Sequence, residues 1–123
     1  MSYSKPETAP RLSDLFSLRG KTALVIGGAG LLGSEITHAF AEQAANVIIA
    51  SRSLEKCQNY TNYLAENFKN SIFTPLSVDI SNPESIDLFM HTVNELFPDG
   101  LDILVNCGWS GRSAPCRAVP PFA

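Results

Sequence analysis

The chain has 123 residues, 45% hydrophobic and 17% charged, with a formal net charge of -3; a chain of this size buries roughly two thirds of its unfolded surface, enough for one globular core without disulfide or metal staples. Twelve carboxylates against nine Lys and Arg, with no basic cluster, exclude the electrostatic footprint of a nucleic-acid binder. Residues 1–20 carry Pro6, Pro10 and scattered charges without a continuous apolar stretch, so neither a signal peptide nor a membrane span is expected there and residues 1–16 read as a flexible leader.

Beyond the leader the hydrophobic period switches repeatedly between strand-like runs and helix-like stripes, the pattern of alternating β and α elements. Residues 22–26 form the first predicted strand. A helix follows over residues 31–44, with Leu32, Ile36, Ala39, Phe40 and Gln43 on one face. Residues 46–50 read as a second buried strand. Ser53 then caps a helix whose stripe is Leu54, Cys57, Thr61, Leu64 and Phe68. The third strand, residues 72–78, contains Pro75, which removes a ladder donor and therefore predicts an edge position. Ser81, Asn82 and Pro83 open the next helix with cap and first-turn chemistry, and Ile86, Phe89, Met90, Val93 and Phe97 line its apolar side. Residues 101–105 are the fourth strand. From Trp109 onward Ser, Gly, Arg, Ala and Pro replace any periodicity, so 109–123 is expected to be an irregular tail.

Right-handed crossovers between such units give an α/β, Rossmann-like doubly wound parallel sheet over residues 17–108, with strand order 3-2-1-4 and helices on both faces. Its ligand crevice lies at the carboxyl ends of strands one and four. Two distant segments meet there: the turn Gly27-Gly28-Ala29-Gly30-Leu31-Leu32-Gly33, and Asn106-Cys107-Gly108.

The glycine turn sits directly between a predicted strand and a predicted helix, the context that a dinucleotide-binding fingerprint requires. Gly28 and Gly30 are expected to permit a tight turn and the close approach of backbone to a pyrophosphate, and Gly33 to let the helix pack on the strand. The free N–H groups at the helix start, those of Leu31 and Leu32 among them, would face the phosphates together with the positive end of the helix dipole. A glycine-rich structural turn is the competing reading.

The cofactor choice is argued from charge. A carboxylate at the end of the second strand would bond the ribose 2′-OH of NAD and repel a 2′-phosphate. Here that position holds Ser51, followed by Arg52. A guanidinium bonds a phosphate bidentately, so NADP is expected in preference to NAD; the alternative is that Arg52 is a solvated charge opening the helix. Cys57, Cys107 and Cys116 are odd in number and lack metal spacing, which predicts free thiols and a cytoplasmic location. His38 and His91 fall on helices away from the crevice and read as surface residues.

These residues resemble the short-chain dehydrogenase/reductase family. The likeness is carried by the run from Leu18 to Val25 leading into the glycine turn, by Val78-Asp79-Ile80, by Leu101-Asp102-Ile103-Leu104-Val105-Asn106, and by their spacing. It covers residues 17–111, the amino-terminal half of a family member. The resemblance implies that Asp79 reaches the adenine amino group with Ile80 beside it, and that Asn106, Cys107 and Gly108 lie along the ribose side; helix capping for Asp79, turn formation for Asn106 and, since no His or Lys partners its thiol in the sequence, inert packing for Cys107 remain the alternatives. Asp102 is expected to support the strand entrance. The chain departs from the family pattern at Ile26, where Thr is usual, and at Asn106-Cys107-Gly108-Trp109, where Asn-Asn-Ala-Gly is usual.

The resemblance also implies an oxidoreductase that moves hydride between a nicotinamide and a carbinol or carbonyl carbon, with a Ser and a Tyr-x-x-x-Lys pair handling the proton. Tyr3, Tyr60 and Tyr63 are the only tyrosines, and none has Lys four residues on. No catalytic residue is assigned, and a chain truncated before its catalytic half is the expectation, with small-molecule substrate bound only if further chain completes the site. A non-catalytic NADP-binding or partner-binding module and a non-functional fragment are the competing readings. An uncovered fourth strand would further favour association with a second copy or an intact homologue.

Overall fold

The computed structural model describes residues 9–109. Its elements are α1 (Leu12–Leu15), β1 (Thr22–Ile26), α2 (Leu31–Glu42), β2 (Asn46–Ser51), α3 (Leu54–Asn67), β3 (Phe73–Ser77), α4 (Pro83–Leu96) and β4 (Ile103–Asn106). All strand pairs are parallel, in the order β3-β2-β1-β4. No described helix is long and apolar enough to cross a membrane.

The two central strands are buried on both faces, which is why they read as continuous apolar runs. Residues of one parity, Val25, Val47 and Ile49, pack with Ala41, Ala45, Cys57 and Leu64 from the α2 and α3 side. The other parity, Leu24, Ile48 and Ala50, packs with Val78 and with Phe89 and Val93 of α4. A period of two in the strands thus feeds two separate cores from one sheet.

Pro75 lies on β3 at the sheet edge, as its chemistry demands. The Ile72 carbonyl and the Val78 amide both bond β2, so even-numbered residues present their backbone to the neighbour and the odd-numbered Pro75 turns its nitrogen to the open side. The opposite edge is β4, where Leu104 is 63% exposed. That strand begins at Ile103 rather than at 101, because Asp102 is held before it: its amide donates to the Thr22 carbonyl, and its Oδ2 accepts from the Thr22 amide at 2.9 Å. Asp102 supports the strand entrance as expected.

Three details differ from the sequence reading. Residues 12–15, within the expected flexible leader, form one helical turn. The helix expected to reach residue 44 stops at Glu42, since Ala44 takes the left-handed φ of 66° that turns the chain into β2. The buried face of α2 is Gly33, Thr37 and Ala41, with Leu32 exposed and Ile36 and Phe40 at its flanks. Small residues form that face because the helix backbone approaches the sheet too closely for large ones, which are pushed to the sides.

Candidate cofactor site

Parallel register brings the site together. Ile26 pairs with Ala50 on one side and Asn106 on the other, so Gly27, Ser51 and Cys107 start three loops at the same level. The Gly27 amide donates to the Ala50 carbonyl at 2.7 Å, and the Cys107 amide to that of Ile26 at 2.8 Å. Gly27 takes a φ of 78°, and a Cβ there would come within 2.7 Å of the Cys107 carbonyl oxygen. Of the glycines in this turn, Gly27 is the one that takes the left-handed conformation. Gly28 serves packing instead: a Cβ would approach the Val25 oxygen to 2.9 Å and Thr37 Oγ1 to 3.1 Å. Gly33 is held against the backbone of Gly27 and Gly28, the close helix contact expected of it.

The helix termini show which end is open to a ligand. Ser53 Oγ accepts from the Lys56 amide at the start of α3, and Asn82 Oδ1 from the Glu84 and Ser85 amides at the start of α4. The start of α2 has Gly30 and no side-chain cap. The Ser34 amide bonds the Gly30 carbonyl at 2.8 Å, which leaves the N–H groups of Leu31, Leu32 and Gly33 outside the helix's own ladder. An anion at that terminus would meet donors and a favourable dipole, with no Cβ of residues 27 or 30 in its path.

A cleft of about 170 Å³ adjoins this terminus, smaller than the ~300–1,000 Å³ usual for a site that encloses a whole small molecule. Gly27, Gly30, Ser51, Arg52, Asp79, Ile80, Cys107 and Gly108 all line it. A second, larger and more open cleft shares Gly27, Gly30, Ser51 and Arg52 and continues to Ser53 and Lys56. Of the expected site residues, Gly28, Leu31, Leu32 and Asn106 line neither. Asn106 closes a turn, its Oδ1 accepting from the Gly108 amide at 3.0 Å. Leu31 and Leu32 lie exposed beside the glycine turn.

Asp79 does not cap α4, since Asn82 does. Its Oδ1 accepts from the Ser81 hydroxyl at 2.6 Å and the Ser81 amide at 3.0 Å, and those bonds, with a smaller contribution from the Arg52 charge, hold its carboxyl below the usual range. Arg52 makes no ion pair among the described residues. Ser51 Oγ donates to the Ser53 carbonyl at 3.2 Å and lies 3.1 Å from the buried Cys57 Sγ, so this hydroxyl is already committed within the fold. Cys57 and Cys107 are free thiols; Cys116 lies outside the described residues. His38 and His91 pair with Glu42 and Glu95 at 3.3 and 3.1 Å on exposed helix surface, away from both clefts.

Sequence reasoning left Ile26, Ala29, Ser53, Lys56, Val78 and Trp109 out of the site, although each lines one cleft or both. Lys56 stands in the first turn of α3, and its closeness in sequence to Arg52 was the available signal for a second cation on that side. Trp109, at the boundary of the expected irregular tail, lines both clefts.

A family model described as short chain dehydrogenase matches residues 21–119. The chain belongs to the short-chain dehydrogenase family. Among its family relatives, an uncharacterised oxidoreductase of Schizosaccharomyces pombe is 29% identical over 113 residues, covering 92% of this chain and 42% of the relative. The 2-dehydro-3-deoxy-D-gluconate 5-dehydrogenase of Bacillus subtilis is 40% identical over 96 residues, covering 77% of this chain and 35% of that enzyme. L-sorbose reductase from Gluconobacter frateurii, solved with NADPH and L-sorbose, superposes with a TM-score of 0.71 at 28% identity, over 79% of this chain and 36% of the reductase. The chain spans about two fifths of the length of these family members.

Proposed function

We propose that this chain is the cofactor-binding portion of an NADP(H)-dependent oxidoreductase acting on an alcohol or carbonyl group. The observation that carries the cofactor choice is the pair Arg52 and Lys56 lining the cleft beside Ser51, where an NAD-selective site would place a carboxylate. The solved complex of L-sorbose reductase with NADPH supports the same choice by likeness. In this reading the glycine turn and the start of α2 receive the pyrophosphate, Arg52 and Lys56 the 2′-phosphate, and Asp79, Ile80 and Gly108 the adenosine. Bound nicotinamide would supply or accept the hydride. The chain's own residues bind and orient the cofactor, because no tyrosine here has the following Lys that would handle the proton. The reading places the protein in the cytoplasm, in keeping with its free thiols.

The test is a titration of NADPH and NADH against the 123-residue chain, followed by cofactor fluorescence. Arg52→Asp weakens NADPH by about 10- to 150-fold, the equivalent of the ~1.5–3 kcal/mol of one charge-assisted hydrogen bond, and spares NADH. Lys56→Gln acts in the same direction. Equal loss of both cofactors in Arg52→Asp would refute the 2′-phosphate assignment, and no affinity for either in the unmodified chain would refute the function.

A further inference from the structure

The two clefts meet at Trp109, the chain's only tryptophan. It is 77% exposed, and no other aromatic residue among those described lines either cleft. The smaller of the two clefts is lined, together with Trp109, by the aliphatic side chains of Ile26, Val78 and Ile80. Gly108 lies directly against two of these: a Cβ there would come within 3.0 Å of both Ile26 Cγ2 and Ile80 Cδ1. The residue before the indole therefore takes up no room in the slot, and the indole itself stands at its rim.

A slot lined by aliphatic side chains and an exposed indole suits a flat group that presents a π-face. Cationic groups and the open helix terminus lie further along the same surface, so the flat group would be one joined to phosphates. We infer that Trp109 stacks on the adenine of the bound dinucleotide and closes the adenosine slot against Ile26 and Ile80. The inference rests on the dinucleotide reading above and adds a specificity-determining residue to it. Stacking of a base on an aromatic side chain is worth ~1–3 kcal/mol, and it selects for the base without reading its hydrogen-bonding edge. Removing the indole should therefore act on adenine-containing ligands and leave the phosphate contacts in place.

The decisive probe is adenosine 2′,5′-bisphosphate, which carries the base and the phosphates without nicotinamide absorbance. It quenches the single tryptophan emission of the unmodified chain, and ribose 5-phosphate does not. By calorimetry Trp109→Phe retains most of the affinity, whereas Trp109→Ala loses about 5- to 150-fold, the fold-change that ~1–3 kcal/mol per stacked base produces. Far-ultraviolet circular dichroism confirms that each variant is folded; because the emission experiment uses the unmodified chain, it decides the matter even if a variant is not. Unchanged emission at calorimetrically saturating ligand, or an alanine variant with undiminished affinity, overturns the stacking and leaves the cofactor reading intact. Absence of binding by NADP and by the bisphosphate to the unmodified chain overturns both.

Discussion

Gly33→Ala tests the packing that sets the glycine turn against α2. The added Cβ would lie 2.7 Å from the Gly27 carbonyl carbon and 2.9 Å from Gly28 Cα, against ~3.5–4.0 Å for a comfortable carbon contact. Both neighbours are backbone, so the start of α2 or the turn itself must move by about 1 Å to relieve the overlap. Overpacking of this kind costs up to ~3 kcal/mol. Alanine in a helix returns about 1 kcal/mol over glycine, which leaves a net cost of up to about 2 kcal/mol. For a domain of about 100 folded residues each kcal/mol moves the midpoint by ~4–8 °C, so Tm falls by up to about 8–16 °C. Thermal circular dichroism measures the change, and NADP affinity should fall with it because the moved elements form the phosphate cradle. Gly100→Ala is the control: its φ of 84° imposes strain, yet nothing lies within 4 Å of the new methyl, and NADP binding is unaffected. A Gly33→Ala chain as stable as the parent, or more so, would refute the steric argument.

Ala44→Gly should stabilise the chain by up to ~1 kcal/mol, because Ala44 holds a left-handed φ of 66° where glycine pays no steric cost; an unchanged or lower Tm would count against strain at this turn. Asp79 provides the pH dependence. Its carboxyl is held below the usual range by the Ser81 bonds, so its stabilisation is fully present at neutral pH and is lost as pH falls below about 4 through the lowered folded value. Asp79→Ala should therefore lower Tm at pH 7, with the gap to the parent narrowing toward pH 2.5; a gap that stays constant across the range would show that the carboxylate's charge is immaterial.

The order of elements, the two central strands and the helix caps were legible in the chain because each is a local property. Apolar runs without alternation mark strands buried on both faces, and Ser53 and Asn82 cap their helices through bonds spanning two or three residues. The edge position of Pro75 followed from its missing donor. The glycine trio was equally plain, yet the division of labour within it was not. Gly27 rather than Gly28 or Gly30 makes the left-handed turn because it must pass the Cys107 carbonyl, which comes from a strand about eighty residues away and enters only through the parallel register. The buried face of α2 was misread for a related reason. Periodicity weighs hydrophobicity, whereas the distance between helix and sheet is set by backbone contact at Gly33, so small residues take the interface and Leu32 is left outside. Asn106 ends β4, and its side chain is taken up by the turn that follows. Lys56 and Trp109 joined the site only when three strand ends were brought level, an alignment that depends on the register of the sheet and leaves no mark in any local stretch of sequence.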